Sequence, residues 1–471
     1  MLTAFTDDLA NQLATHAPDV PLKQAAPRYL EDPRGKFEGL PGFVAAPRTS
    51  EDTARILAFA NTHKCPIQPY GGGTGLVAGQ ITLSGPTPLI LSMENMTAIR
   101  DIRPTEYSLT AEAGVTIEAI QNAAAEANRL FPLSYASKGT AQIGAGLSVN
   151  SGGLNVLRYG MARDTCLGIE AVLPDGSILH GLKRLRKDNT GYDLRHLIIG
   201  AEGTLGIITA AALKLSPQPQ NIATAFLQVS SPAAALDLLA MLWDQAGEVV
   251  SAFELIAGTG LDMLAETYPD TRQPFDTPPE WSVLVEIGTG ASTDATEILE
   301  TLYMLAHEKG LTGDGIIASS GQQRDAFWTA RETMPAANKA IGSIASHDIS
   351  VPLSELPGFI DAADTAINKL GTFRINAFGH LGDGNLHYNI FPPKGRSRDD
   401  YRNLSPQITR IVHDLTDERG GSVSAEHGLG RLKPDELKRY GDPTKIALMR
   451  QIKATLDPNG IMNPGAVLPE G

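Results

Sequence analysis

The chain has 471 residues, of which 42% are hydrophobic. A chain of this length is too long for one ordinary hydrophobic core, so we expect two or three domains. Its 53 acidic and 39 basic residues give a formal net charge of −14 at pH 7. No Lys/Arg block offers a surface to a nucleic-acid backbone or to an anionic membrane. The composition therefore argues against nucleic acid as a partner.

The two cysteines, Cys65 and Cys166, lack the spacing of metal ligands. So few thiols in so long a chain suit a reducing compartment. The first eight residues carry acidic side chains where a leader would be basic, and no apolar run reaches the ~20 residues that a membrane span requires. We therefore expect a soluble, cytoplasmic protein.

The pattern along the first half of the chain predicts an α+β unit behind an N-terminal extension. The extension, residues 1–39, begins with a predicted helix at 3–16 and continues as a proline-rich stretch. Short β-type and helical runs then alternate over residues 40–217, with Ser50 as the predicted N-cap of the first helix. The proline-rich segment Ser216–Gln220 favours extended backbone and marks the next boundary.

The second half of the chain predicts a ferredoxin-like domain followed by a helical segment. Residues 218–415 contain a predicted helix at 232–245, a strand at 281–288 and a helix at about 293–309. Strand, helix, strand, helix is the order typical of ferredoxin-like folds. Residues 416–471 read mostly as helix up to Leu456, where Asp-Pro-Asn-Gly stops it.

Three glycine-rich segments and one shorter cluster in the first unit suggest a large bound cofactor. The segments are Pro69–Gln80, Lys138–Gly153 and Gly200–Ile207, and the shorter cluster is formed by Gly160 and Gly168. A backbone without Cβ atoms can bring consecutive N–H groups close to a pyrophosphate. The first segment has neither the G-x-G-x-x-G spacing of a nicotinamide site nor the Gly-Lys-Ser/Thr end of a Walker loop. One such loop is usually only a turn, but several in one unit indicate backbone wrapped around a flat, phosphate-bearing cofactor.

Two histidine motifs predict an open metal site. The first contains His380 and His387, and the second contains Glu426 and His427. Two imidazoles and a carboxylate are the ligand set of such a site, and His427 could take a proton from a group that the metal polarises. The turn residues Gly382–Asn385 predict a hairpin on which the first two histidines converge. An isolated histidine is more often structural, but this clustering favours function.

These motifs, with the closing segment Asp457–Gly465, resemble the metal-dependent D-2-hydroxyacid dehydrogenases of the vanillyl-alcohol oxidase flavoproteins. Members of this group act on D-2-hydroxyglutarate, D-lactate or glycolate. The resemblance spans about residues 40 to 467. It implies a two-part FAD-binding domain, a ferredoxin-like substrate domain and a C-terminal helical segment that returns to the flavin.

The resemblance also implies which residues lie along the cofactor. Covalent relatives place a histidine in the first glycine loop, where this chain has Gly71–Gly73, so we expect dissociable FAD. The predicted FAD-binding residues are Pro69, Tyr70, Gly71, Gly72, Gly73, Thr74, Gly75, Leu76, Gly79, Gln80, Lys138, Gly139, Thr140, Gln142, Ile143, Gly144, Asn150, Gly152, Gly153, Gly160, Glu202, Gly203, Gly206, Ile207 and Asn463.

In the family that the chain resembles, zinc or manganese is held at the positions of His380, His387 and Glu426, and the general base matches His427. The implied reaction is oxidation of a D-2-hydroxy acid to the 2-oxo acid, with hydride passing to flavin N5. The electrons would go on to a separate acceptor, such as an electron-transfer flavoprotein, a quinone or a cytochrome.

Arg331 and Asn389 match the substrate-binding positions of the family. A guanidinium suits bidentate recognition of a carboxylate, although an arginine in a helical run could equally pair locally. Two positions depart from the 2-hydroxyglutarate pattern, because Pro335 stands where a Thr is expected and Ser346 where a Lys is expected. We therefore expect a weaker preference for D-2-hydroxyglutarate over D-malate or D-lactate than the full pattern would give.

Two alternatives remain open at the level of sequence. One is the catalytic subunit of a multi-subunit glycolate oxidase, which would share the fold. The other is a non-catalytic flavin-binding partner subunit, which is disfavoured because the metal and base positions are all filled. The metal, the acceptor and the oligomeric state are also open, with a homodimer as one alternative.

Overall fold

The structure is a computed structural model that describes residues 1–469. It contains two compact units. The first comprises residues 1–153, 160–218 and the chain from Glu426 onward, and the second comprises residues 154–159 and 219–425. The N-terminal extension belongs to the first unit because Phe5, Leu9 and Leu13 are buried in its core.

The helices are α1 Asp7–His16, α2 Ser50–His63, α3 Ile117–Glu126, α4 Ile143–Val149, α5 Val156–Tyr159, α6 Leu194–Ile198, α7 Pro232–Ala246, α8 Gly258–Thr267, α9 Ala295–Glu308, α10 Gly321–Ile341, α11 Leu356–Asn368, α12 Ser405–Glu418, α13 Pro434–Tyr440 and α14 Pro443–Leu456. The strands are β1 Leu22–Gln24, β2 Phe43–Ala45, β3 Ile67–Tyr70, β4 Leu89–Ser92, β5 Ile99–Arg103, β6 Ser108–Glu112, β7 Arg129–Leu130, β8 Cys166–Val172, β9 Ile178–Gly181, β10 Ile207–Lys214, β11 Ser216–Pro217, β12 Asn221–Val229, β13 Val250–Ala257, β14 Trp281–Thr289, β15 Thr312–Ile317, β16 Ala345–Ser350, β17 Arg374–His380 and β18 Asn385–Phe391.

The first unit is built on two main sheets, which confirms the predicted α+β class. One has four strands in the order β1-β2-β4-β3, and the other has five antiparallel strands in the order β5-β6-β10-β8-β9. The N-cap of α2 is Thr49, which accepts from the N–H of Asp52. The predicted cap, Ser50, instead donates its hydroxyl to Glu170 on β8 at 2.5 Å. Both Ser and Thr can cap a helix. Here Thr49 is the cap, and Ser50 is the first helical residue and bonds to the buried carboxylate of Glu170.

The second unit contains a seven-stranded antiparallel sheet in the order β15-β12-β14-β13-β17-β18-β16. Its first four strands in the chain, β12 to β15, have the spatial order four-one-three-two of the predicted ferredoxin-like fold, with α7 and α9 as the connecting helices. Strands β17, β18 and β16 extend this sheet beyond β13.

The two faces of this extended sheet differ in chemistry because successive strand residues point to opposite sides. One face belongs to the main hydrophobic core of the unit and includes Leu255, Ala377, Leu386, Tyr388 and Ile349. The other face carries Glu254, His380, His387, Asn389 and Asp348. The strand alternation thus gathers the predicted metal and substrate residues on one face.

The C-terminal segment is mostly helical up to Leu456, as predicted, but it contains one irregular stretch. Between α12 and α13, residues 419–433 are irregular, and Gly420, Gly428 and Gly430 adopt positive φ values that end or interrupt a helix. The motif with Glu426 and His427 therefore lies on a loop. Among residues 1–469, none of the helices combines the length and apolarity needed to cross a membrane.

Candidate active site

A pocket in the first unit is lined by residues from all three glycine segments. The end of β3 leads into its first wall, the start of α4 supplies a second, and the turn before β10 supplies a third. His427 also lines it, so the predicted base faces the same pocket. The predicted FAD residues in its wall are Pro69, Tyr70, Gly71, Gly72, Gly73, Thr74, Gly75, Gly79, Gln80, Gln142, Gly144, Glu202, Gly203, Ile207 and Asn463.

Glycine is required where these segments approach each other. A Cβ atom on Gly72 would overlap the carbonyl oxygen of Thr140. Gly203 has a φ of +70°, and its Cβ would lie 2.5 Å from the Pro69 ring. Larger residues at either position would push the walls apart, so the glycines keep the pocket narrow enough for a flat ring system.

Ten of the predicted FAD residues lie outside this wall, and several have other structural roles. Asn150, for example, ends α4 in the left-handed conformation, and Gly160 has no room for a Cβ beside Asp164. The ten are Leu76, Lys138, Gly139, Thr140, Ile143, Asn150, Gly152, Gly153, Gly160 and Gly206. Sequence reasoning missed Ser148 and the apolar part of the wall, which the sequence does not separate from ordinary core residues. The apolar residues are Val77, Leu91, Met93, Ala113, Ala145, Val149 and Ile208.

The chemistry of the pocket wall fits a flavin. Glycine backbone and apolar strand residues form a surface for a planar ring. The buried Oε1 atom of Gln142 has no hydrogen-bond partner within residues 1–469. Buried acceptors are almost always satisfied, so this atom is suited to a ligand N–H or O–H.

In the second unit, His380 and His387 lie on adjacent strands of one hairpin. His380 ends β17 and His387 lies in β18, with a short turn between the strands. Their ring centroids are 5.6 Å apart. This confirms the predicted convergence and places two imidazoles side by side on the polar face of the sheet.

Glu254 on β13 joins His380 to Arg331. Its Oε1 atom lies 2.6 Å from Nδ1 of His380, and its Oε2 atom accepts from Nε of Arg331 at 2.7 Å and lies 2.6 Å from Nη2. The carboxylate is fully buried. Burial by itself would raise the pKa of Glu254, but the charges and hydrogen bonds of His380 and Arg331 outweigh burial and lower the pKa to about 2. Glu254 is therefore ionised in the folded protein.

The contact with Glu254 determines how His380 can act. In the neutral imidazole, Nδ1–H donates a hydrogen bond to the ionised carboxylate, which leaves the lone pair of Nε2 for a cation. On the neighbouring strand, Oδ1 of Asp348 lies 3.9 Å from Nδ1 of His387 and accepts from Nδ2 of Asn385 at 2.9 Å. His380 thus has a carboxylate hydrogen-bonded at Nδ1, the arrangement that orients a histidine metal ligand, and His387 has a carboxylate 3.9 Å from its Nδ1.

Arg331, on α10, is only 4% exposed, and its guanidinium lies over the ring of Phe378. Pro335, one turn later, has no N–H and cannot make the helical bond to the carbonyl of Arg331. Asn389 is buried on β18, and its register partner on β16 is the exposed Ser346. The structure therefore puts Asn389 and Ser346 in one row across the polar face, two residues along the strands from His387.

A family model described as the C-terminal domain of FAD linked oxidases matches residues 218–467, and one described as an FAD binding domain matches residues 41–181. The chain belongs to the FAD-linked oxidase family. It is thus an FAD-dependent oxidoreductase, and the first-unit pocket is the candidate site for its flavin.

The relatives of this FAD-linked oxidase include proteins named D-2-hydroxyglutarate dehydrogenase. The mitochondrial protein of Arabidopsis thaliana is 34% identical over 434 residues, covering 92% of this chain and 76% of the relative. The protein of Stutzerimonas stutzeri is 33% identical over 446 residues, covering 93% of both chains. A D-2-hydroxyglutarate–pyruvate transhydrogenase of Saccharomyces cerevisiae is 30% identical and covers 98% of this chain and 94% of the relative.

Solved structures show that the FAD-linked oxidase has the fold of the vanillyl-alcohol oxidase family, as predicted. p-Cresol methylhydroxylase with bound substrate aligns with a TM-score of 0.75 at 16% identity, covering 99% of this chain and 98% of that one. 4-Ethylphenol oxidase of Gulosibacter chungangensis aligns with a TM-score of 0.72 at 17% identity, covering 100% and 99%. At these identities the likeness concerns the fold alone.

Proposed function

We propose that the protein oxidises a D-2-hydroxy acid to the 2-oxo acid with FAD and a divalent metal, zinc or manganese, and that D-2-hydroxyglutarate is its preferred substrate. The names of relatives that align over more than nine-tenths of this chain support the substrate class. The observation that carries the metal-dependent reaction is the pair of imidazoles on β17 and β18, each with a carboxylate on its Nδ1 side.

The proposed metal ligands are His380, His387 and Glu426. The paired imidazoles offer ring nitrogens as neutral ligands, and a carboxylate would complete a three-ligand set with positions left for a substrate. Support for Glu426 comes from the chain itself. Its neighbour Ala425 donates its N–H to the carbonyl of Asp348, and Asp348 is the register partner of His387. When bound, such a cation lowers the pKa of a hydroxyl group that it ligates.

His427 is the proposed general base. Its side chain lines the proposed flavin pocket, which supports a role for it close to the ring. It would take the proton of the substrate hydroxyl as the C2 hydrogen leaves with its electron pair. FAD, when bound, supplies the oxidant for this two-electron step. The proton and the hydride thus leave the substrate to different acceptors.

Asn389 and Arg331 are the proposed substrate contacts. Asn389 shares the polar sheet face with His387, two residues along the same strand, or about 6.6–6.8 Å. That spacing suits the reach from a metal-bound 2-hydroxyl to the far carboxylate of a five-carbon diacid. Nε and Nη2 of Arg331 both contact Glu254, so recognition of a carboxylate by this residue would use Nη1.

We further propose that the reduced flavin passes its electrons to a separate acceptor, namely an electron-transfer flavoprotein, a quinone or a cytochrome. A turnover assay with an artificial electron acceptor tests the proposal without knowledge of the natural one. D-2-Hydroxyglutarate should be oxidised faster than D-malate, D-lactate or glycolate, and L-2-hydroxyglutarate should be inert. No turnover with any of the D-acids by FAD- and metal-loaded protein would refute the function.

A further inference from the structure

Glu202, in the turn that leads into β10, is a buried carboxylate that contacts the loop carrying His427. Oε1 accepts from the N–H of Leu429 at 2.7 Å, and Oε2 accepts from the N–H of Gly430 at 2.8 Å. Both carboxylate oxygens therefore contact backbone groups two and three residues after the proposed base. Two charge-assisted hydrogen bonds of this kind fix a backbone segment more firmly than neutral ones.

The backbone of Glu202 is itself in an unfavourable conformation. Its φ is +50°, in the left-handed region that glycine tolerates and that other residues rarely adopt. Such strain persists where the surrounding structure requires it. A glycine at this position would relieve the strain but would lack the carboxylate that holds the loop.

A second set of hydrogen bonds holds the same loop through Arg431 and Asn463. Arg431 donates from Nη1 to the carbonyl of Gly79 at 2.9 Å and from Nη2 to Oδ1 of Asn463 at 2.7 Å. Asn463 in turn donates from Nδ2 to the carbonyl of Glu202 at 2.8 Å. The loop that begins at His427 is thus held at Leu429 and Gly430 by Glu202 and at Arg431 by the wall of the flavin pocket.

We propose that Glu202 is a positioning residue for His427, holding the loop so that the imidazole stays at the flavin pocket. The proposal rests on the proposed function, in which His427 takes the substrate proton. Glu202 also lines the pocket, so the competing interpretation is that it mainly binds FAD. If Glu202 positions His427, removal of its side chain should lower the rate of substrate oxidation in flavin-loaded protein. If it mainly binds FAD, removal should lower the affinity for flavin.

The test uses Glu202→Gly, which removes the carboxylate and relieves the strained φ, and Glu202→Gln, which keeps the size and one acceptor oxygen. Asn128→Gly is the matched control, because Asn128 has a φ of +54° but is exposed after α3. Amide hydrogen exchange should show faster exchange of residues 427–431 in Glu202→Gly and unchanged exchange in Asn128→Gly. This measurement needs neither substrate nor turnover.

Anaerobic flavin reduction then supplies the functional measurement. A displacement of about 1 Å can cost about 100-fold in rate. At saturating D-2-hydroxy acid, Glu202→Gly should reduce its flavin at least about tenfold more slowly than the native protein. Glu202→Gln should be intermediate, while the Kd for FAD and reduction by dithionite stay within about threefold of native.

Each result separates the interpretations. Native-like exchange at residues 427–431, or a native-like reduction rate in flavin-loaded Glu202→Gly, would overturn the positioning role. A weakened Kd for FAD with an unchanged reduction rate would make Glu202 a flavin ligand. If native protein is not reduced by any D-2-hydroxy acid, the proposed function fails, whereas the exchange result still tells whether Glu202 holds the loop.

Discussion

Nδ1 of His380 lies 2.6 Å from Oε1 of Glu254, and the same buried carboxylate contacts Arg331 through its other oxygen. A cation that binds His380 would therefore find this imidazole in a fixed orientation and tautomer. The carboxylate–imidazole–metal arrangement is the usual means of orienting a histidine ligand. The proposed metal site would thus depend on a residue that does not itself touch the metal.

We expect Glu254→Gln to weaken metal binding. Loss of the charge removes the strong acceptor for Nδ1–H, and changes of this kind typically cost about 10–100-fold in metal affinity. The Kd for zinc should be measured by competition with a chelator, with Glu266→Gln as control, because Glu266 pairs with Arg374 and Lys394 nearer the surface. The FAD content should stay native. A zinc Kd within twofold of native would show that Glu254 does not orient His380.

His427→Asn should slow flavin reduction by about 100- to 10,000-fold, the range for a lost general base. The asparagine keeps a polar group at the pocket but cannot accept the hydroxyl proton. The metal content, the FAD content and the affinity for substrate should be unchanged. Stopped-flow absorbance measures the rate of flavin reduction. His180→Asn is a control on the surface, where the His180 side chain is 71% exposed. An unchanged single-turnover rate in His427→Asn would mean that another group takes the proton.

FAD should dissociate when the protein is denatured by heat or acid. The prediction rests on the absence of histidine from Gly71–Gly73. The pocket wall does contain two nucleophilic side chains, His427 and Tyr70, to which a flavin could in principle be bound covalently. After precipitation, the yellow colour should be in the supernatant. Flavin that remains on the precipitated polypeptide would identify a covalent bond and would require peptide mapping to one of these residues.

Ser346→Lys should strengthen the preference for D-2-hydroxyglutarate over D-lactate. The new ammonium would lie in the row of Asn389, two residues along the strands from His387, where a distal carboxylate could reach it. A charge-assisted hydrogen bond contributes ~1.5–3 kcal/mol, or about 10- to 150-fold in the ratio of kcat/KM values. Ser346→Met matches the length without the charge and should leave the ratio unchanged. An unaltered ratio in Ser346→Lys would place the distal carboxylate elsewhere.

Much of the site was predictable because its residues carry local signals. Turn glycines around His380 and His387 indicated a hairpin, and the hairpin brings their rings to 5.6 Å. The ferredoxin-like order followed from the sequence of strands and helices. These features depend on the backbone preferences of residues that are close in the chain, and such preferences can be read from one sequence.

The supporting network was not predictable, because it joins residues that are distant in the chain. Glu254 precedes His380 by 126 positions and reads as an ordinary strand residue. Glu202 precedes Gly430 by 228 positions and stands in a glycine motif that suggested only cofactor binding. The irregular backbone of residues 419–433, within a segment that is otherwise mostly helical up to Leu456, follows from the positive φ values of Gly420, Gly428 and Gly430. Which buried carboxylate finds which partner is decided by tertiary packing.

Anaerobic reduction of the flavin by D-2-hydroxyglutarate, followed in metal-loaded and metal-free protein, tests the central claim most directly. Protein with FAD and zinc or manganese should bleach within one turnover. Protein freed of metal by a chelator should keep its FAD and bleach at least about 100-fold more slowly, and added metal should restore the native rate. Equal bleaching in verified metal-free protein would contradict the proposed role of His380, His387 and Glu426.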